Sequence, residues 1–277
     1  MADVTGGVSA PEAGEPTEDY LPFPGGKVHV LRGGTGAPLV FLHAAGGAAT
    51  WHPFLRSLAG RFEVIAPDHP GFGGSDELAE VEAIDDLVYH YLDVFARLGL
   101  DRPHVVGGSF GGWIGAELAV AAPHAVGSLT LLGATGLRLP EHPVTDLFLL
   151  RPDQLVDVLF EDPAKAAAVF PAEPDVDAIL AAYRDMTALA RFCWVPFMAD
   201  PKLERRLHRI TAPTQVVWAE RDKLVPIAHG HRYAELIPGA RLATVADCGH
   251  AMYFERPAEF AEITSGFLAG LPGGGTE

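Results

Sequence analysis

The apolar residues of this chain fall into two alternating patterns. Short runs bounded by Gly and Pro, at Val28–Leu31, Leu39–His43, Glu63–Pro67, His104–Gly108, Ser128–Gly133, Gln215–Trp218 and Arg241–Val245, are mostly apolar on consecutive positions. That is the signature of strands buried on both faces. Between them, Ile84–Leu98 sets Leu87, Tyr91, Val94, Phe95 and Leu98 at three- and four-residue spacing, an amphipathic helix, and Gly99 follows where a C-terminal cap belongs. Trp113–Ala122 and Pro257–Leu271 repeat the helical pattern, with Pro257 at a first helical position. Strands alternating with helices predict an α/β fold: a mostly parallel central sheet flanked by helices.

From about Leu137 to Leu207 the alternation stops, and the chain becomes helical and aromatic, with Phe148, Phe160, Phe170, Phe192, Trp194 and Phe197. This reads as a helical cap inserted over the sheet. The expected organisation is a flexible N-terminal tail (1–22), a core of 23–136 and 208–272, and a cap of 137–207. Gly273–Gly275 reads as a frayed terminus.

Composition narrows the function classes. With 48% hydrophobic and 20% charged residues, the 277-residue chain has material for a large core and is not a disordered interaction protein. Its net charge of -16 repels phosphate backbones and anionic bilayers, which argues against nucleic acid or a membrane surface as partner. The start is acidic and Gly/Pro/Ala-rich rather than basic and apolar, so the expectation is a cytoplasmic protein. Two cysteines, Cys193 and Cys248, read as internal thiols. No cofactor is expected: His229-Gly230-His231 lacks carboxylate or cysteine partners for a metal, and no glycine loop with a following Lys cradles phosphate. The expected partner is a small-molecule substrate, and an assembly, if present, would most simply be a homodimer.

The chemistry is concentrated in Gly107-Gly108-Ser109-Phe110-Gly111, which follows an apolar strand and leads into a helix. Small residues two positions either side of Ser109 let strand and helix approach, lifting the hydroxyl above the sheet edge. A serine hydroxyl is a weak nucleophile until a histidine takes its proton and a carboxylate holds that histidine's tautomer. Both partners lie downstream in loops that follow strands. His250 stands in Asp247-Cys248-Gly249-His250 and is the best placed of the twelve histidines; Asp222 stands after Gln215–Trp218. Glu220 and Asp247 are competing carboxylates, ranked behind Asp222. For the oxyanion hole, His43-Ala44-Ala45-Gly46-Gly47 follows a strand, and the amides of Ala45 and Phe110 are the candidate donors. His43 itself reads as structural, and a Cys248 nucleophile lacks the elbow.

From about Val28 to Leu271 the chain resembles the α/β-hydrolase superfamily, in its elbow, its Ser-Asp-His order, its cap position, Asp68-His69-Pro70-Gly71-Phe72-Gly73-Gly74-Ser75 and Glu255-Arg256-Pro257. It departs from the family pattern at Ala44, where Gly usually follows the His, and at Gly108, where His or another polar residue often precedes the nucleophile. Serine at the elbow, rather than the aspartate of dehalogenase-like members, implies acyl transfer. Hydrolysis of a carboxylic ester or lactone with a small, largely apolar substrate is the first reading. Carbon–carbon bond hydrolysis of a ring-cleavage-type keto acid is second, with Arg191 as substrate-carboxylate anchor beside Trp194; that reading is weakened by Ala251, where such enzymes carry Trp. A cofactor-free perhydrolase and a non-catalytic small-molecule receptor are further alternatives.

Overall fold

A computed structural model describes residues 15–46, 50–171 and 173–271. Its strands are β1 (Thr17–Phe23), β2 (Gly26–Gly33), β3 (Pro38–Leu42), β4 (Glu63–Pro67), β5 (His104–Gly108), β6 (Ser128–Leu132), β7 (Thr214–Ala219) and β8 (Arg241–Val245). They form one sheet in the order β1-β2-β4-β3-β5-β6-β7-β8. The β1/β2 and β2/β4 pairs are antiparallel; all others are parallel. Each of the seven strands expected from the apolar runs is present.

Successive residues of a strand face opposite sides of the sheet. Val40 and Leu42 of β3 therefore join one core cluster, and Leu39 and Phe41 join the other. Helices α2 (Ile84–Leu98), α3 (Phe110–Ala121) and α6 (Ala228–Leu236) cover the first side through Leu87, Tyr91, Phe95, Ile114, Leu118 and Tyr233. On the other side α1 (Pro53–Ala59) and α8 (Pro257–Ala269) contribute Phe54, Leu55, Leu58, Phe260 and Leu268. The short α7 (Met252–Glu255) leads into α8. Asp86 accepts hydrogen bonds from the Glu82 and Ala83 amides at the start of α2, and Gly99 ends that helix at φ 65.

One expectation is corrected. The tail anticipated over 1–22 lies outside the described residues for 1–14, but Thr17–Phe23 is a strand paired along its whole length with β2, from Thr17↔Arg32 to Phe23↔Gly26. β1 is an edge strand whose side chains are largely exposed, so its polar composition carried no apolar run. The usable signal was Pro24-Gly25, a turn dipeptide in which Gly25 takes φ 85. Gly273–Gly275 also lies outside the described residues.

Between β6 and β7 the chain inserts a helical segment: a three-ten turn at Leu147–Leu149, α4 (Pro152–Leu159), a three-ten stretch at Pro163–Ala168, α5 (Val176–Cys193) and two short turns ending at Arg209. The C-terminal half of α5 buries Ala188, Leu189, Phe192 and Cys193 in the first core cluster. Among the described residues, no helix is long and apolar enough to cross a membrane.

The core also encloses neutral histidines. Burial lowers His43 and His90 to about 4. The His90 ring lies against Phe23 and Tyr91, and its Nε2 has no hydrogen-bond partner among the described residues. Folded His90 stays neutral down to about pH 4, whereas the unfolded side chain takes up a proton below about 6.5. The unfolded state therefore binds more protons across that window, and stability falls as pH drops through it. Replacing His90→Phe should remove about 2–3 kcal/mol of the stability difference between pH 7.5 and pH 4. Denaturant titrations at the two pH values check this; an unchanged difference would refute it.

Candidate active site

The nucleophile position is built by the meeting of β5, β6 and α3. Ser109 adopts φ 50, ψ −111, between the strand and the helix. Its N–H donates to the Leu132 carbonyl of β6 at 2.8 Å, and its own carbonyl accepts from the Trp113 and Thr135 amides. Glycine on either side is a steric requirement. A Cβ on Gly107 would lie 2.4 Å from the Gly111 carbonyl oxygen, and one on Gly111 would lie 2.1 Å from that of Leu42.

Three loops at the C-terminal ends of parallel strands bring the three candidate side chains together. His250 Nε2 lies 2.9 Å from Ser109 Oγ, and His250 Nδ1 lies 2.7 Å from Asp222 Oδ2. The other oxygen, Oδ1 of Asp222, accepts from the Leu224 and Val225 amides at 3.0 and 2.7 Å, so the carboxylate is fixed at both ends. An acceptor-only carboxylate at Nδ1 places the proton there, leaving Nε2 to accept from the serine hydroxyl. All three residues are buried. The competing acids are engaged elsewhere: Asp247 pairs with Arg221 at 2.6 Å, and Glu220 accepts from the Thr244 hydroxyl.

The candidate oxyanion loop is held by a pair of histidines. His43 Nδ1 donates to the Ala44 carbonyl at 2.7 Å, and Nε2 accepts from the His69 amide at 2.9 Å; the His69 ring returns a bond to the His43 carbonyl and meets the Tyr91 hydroxyl. The two rings lie 3.6 Å apart. Both act as neutral rings, His69 being held well below its usual range by burial, so His43 serves the loop as structure. Ala45 is buried in the turn that follows β3. Phe110 heads α3, so its amide has no carbonyl four residues back within the helix and, like the helix dipole, favours negative charge near Ser109. Gly47 of the loop motif lies outside the described residues.

The departures from the family pattern have a local cause at Gly108. A Cβ there would meet the Tyr253 ring at 2.8 Å. Tyr253 is buried and contacts the rings of Phe41, His52 and Phe54. An aromatic side chain from α7 thus occupies the space that a larger residue before the nucleophile would fill. Nothing in the sequence pattern joined positions 108 and 253.

Arg191 is engaged by the protein itself. Its guanidinium pairs with Glu77 and donates to the Leu78 and Val81 carbonyls, fixing the end of α5 to the 77–81 loop. Those acceptors engage the group expected to anchor a substrate carboxylate. Trp194 is 58% exposed and lies against Phe148. Both thiols are free and pushed up to about 12, chiefly by burial, which disfavours either as a nucleophile. His229 lies in α6, with Nε2 donating to the His142 carbonyl.

Residues 39–263 match the model of the alpha/beta hydrolase family. The chain belongs to that family. It is a hydrolase. A 2-hydroxymuconate semialdehyde hydrolase from Pseudomonas sp. (strain CF600) is 29% identical, over 85% of this chain and 88% of its own length. A protein named as a carbamate hydrolase, from Azorhizobium caulinodans, is 33% identical over 84% and 92%. Among solved structures, a bacterial membrane phospholipase A superposes with a TM-score of 0.79 at 25% identity, covering 93% of this chain and 87% of the other. The expected family, sheet and flanking helices are thereby established for this alpha/beta hydrolase.

The Asp222–His250 bond fixes which nitrogen faces Ser109, so replacing Asp222→Asn should leave the fold intact and present the wrong tautomer. A loss of roughly 10³–10⁴ in kcat against an unchanged melting temperature is expected. Equal turnover by the variant and the wild type would remove Asp222 from the relay.

Proposed function

We propose that the protein is a serine hydrolase that cleaves a carboxylic ester or lactone of a small, largely apolar substrate through an acyl-enzyme. The observation that carries this reading is the buried relay from Asp222 through His250 to Ser109, at 2.7 and 2.9 Å. In the first half-reaction Ser109 Oγ attacks the carbonyl carbon as its proton passes to His250 Nε2. The resulting oxyanion is received by the Ala45 and Phe110 amides. Collapse expels the alkoxide, which takes the proton from His250. Water then gives a proton to His250, attacks the acyl carbon and regenerates Ser109 with release of the acid. The insertion between β6 and β7 acts as a cap over this site, with aromatic residues such as Phe148, Phe160 and Phe197 to exclude water. The proposed setting is the cytoplasm, without nucleic acid or membrane as partner; a homodimer is the proposed form of any assembly.

Carbon–carbon bond hydrolysis is the second reading, favoured by the similarity to the Pseudomonas 2-hydroxymuconate semialdehyde hydrolase. Against it stand Arg191, whose guanidinium is engaged by Glu77 and two carbonyls, and Ala251 after the base. The ester reading asks for no such anchor and ranks first.

Release of p-nitrophenol from a short-chain p-nitrophenyl ester tests the proposal. Wild type should turn over, with an acyl adduct on the peptide carrying Ser109, and Ser109→Ala should lose at least roughly 10³-fold. Absence of turnover in folded wild type would overturn the ester reading and move weight to the carbon–carbon or receptor alternatives.

A further inference from the structure

Glu255 has a buried carboxylate that the relay does not use, and each of its oxygens takes a backbone amide from a different part of the chain. Oε2 accepts from Gly249 at 2.7 Å, the residue before His250. Oε1 accepts from Asp162 at 2.9 Å, in the insertion. The Cys248 thiol also points at Oε2, at 3.8 Å. Around this carboxylate the insertion grips the base loop directly: the Ala251 amide donates to the Leu159 carbonyl at 2.8 Å, and Lys165 Nζ donates to the Glu255 carbonyl at 2.7 Å. The approach is so close that a Cβ on Gly249 would lie 2.7 Å from both the Leu159 carbonyl oxygen and the Glu161 amide nitrogen.

The same stretch also grips the acid loop. Glu161 pairs with Arg221 at 2.9 Å and Lys223 at 3.2 Å, the two neighbours of Asp222, and Lys223 donates to the Asp157 carbonyl. Arg221 completes the ring of contacts, with its amide on the Cys248 carbonyl and its guanidinium on Asp247. Both loops that must hold His250 against Asp222 are therefore tied to the 157–165 stretch and, through it, to each other.

We infer that the 157–165 stretch is a buckle that holds the base and acid loops in register, with Glu255 as a positioning residue for His250. The inference rests on the serine hydrolase reading. A Glu255 carboxylate satisfies two amide donors at once; a glutamine offers one acceptor oxygen and sets an N–H against the other amide. Freeing either side lets His250 drift from the 2.9 Å contact with Ser109, and misplacement on the order of 1 Å costs roughly 100-fold in rate. Substrate is bound by other groups, so the loss falls on kcat.

The test compares wild type, Glu255→Gln and Glu161→Gln by ester kinetics and by the rate at which an alkyl fluorophosphonate labels Ser109. Leu268→Ala, in the α8 core, serves as a destabilised control. Glu255→Gln should lower kcat and the labelling rate roughly 10- to 100-fold with KM within about twofold. Glu161→Gln sits nearer the surface and keeps the test open should the buried variant not fold; it should give a several-fold loss of the same kind. Leu268→Ala should lower the melting temperature and leave kcat at 25 °C unchanged. Wild-type kcat in a folded Glu255→Gln or in Glu161→Gln, or an equal loss in Leu268→Ala, would overturn the inference. If wild type takes no label, the serine hydrolase reading falls and this inference with it; if wild type labels and the variants label as fast, only the buckle falls.

Discussion

Ser109 sits at φ 50, ψ −111, backbone that a residue with a side chain occupies only at a cost of about 1–3 kcal/mol. Such a conformation persists only when its surroundings over-determine it, and three hydrogen bonds do so: one from its N–H to β6 and two to its carbonyl from Trp113 and Thr135. β6 fixes the amide side and the first turn of α3 the carbonyl side, so the hydroxyl can point only above the sheet edge. The parallel order β3-β5-β6-β7-β8 then dictates where partners can come from. The loops after β7 and β8 open at the same edge, and they supply Asp222 and His250.

That constraint makes the surrounding residues interdependent. Room for the elbow is taken from β3, whose Leu42 carbonyl lies where a Gly111 side chain would be. The loop after β3 is in turn held by the closely packed, tilted His43 and His69 rings, neutral because they are buried and because each ring nitrogen has a fixed donor or acceptor role. Protonating His43 would replace its acceptor at the His69 amide with a second donor. Burial depresses its pKa to about 4, which keeps that arrangement intact at neutral pH.

Much of this was legible in the sequence because it is local. Consecutive apolar residues marked the buried strands, three- and four-residue spacing marked α2, and a serine between small residues after a strand marked the elbow. Chain order then placed Asp222 and His250 in loops at the correct edge, and the structure brings the three side chains to hydrogen-bonding distance. What was not legible depends on contacts distant in sequence. β1 is polar because it lies at the sheet edge, so its pairing with β2 left only the Pro24-Gly25 turn as a signal. Arg191 beside aromatic residues looked like an anion anchor, yet its partners at 77–81 lie over a hundred residues away along the chain. Position 255 fitted a family signature without revealing that its carboxylate spans two loops.

The engagement of Arg191 bears on what bond is broken. The chain is similar to proteins named as a phospholipase A, a carbamate hydrolase and a 2-hydroxymuconate semialdehyde hydrolase, and these names point to different bonds. Selection among them therefore lies in groups that touch the rest of the substrate. A substrate carboxylate drawn out of water needs a cation or several donors to offset its desolvation. For Arg191 to provide them, it would have to release the exposed Glu77 and the partly buried carbonyls of Leu78 and Val81, leaving those two acceptors without their donor. A neutral ester asks for none of this: its reacting carbonyl needs two amides only when charge develops, and its acyl and alcohol groups gain from apolar contact alone. On this balance of desolvation, the engagement of Arg191 is what supports the proposed ester reading over the carbon–carbon one.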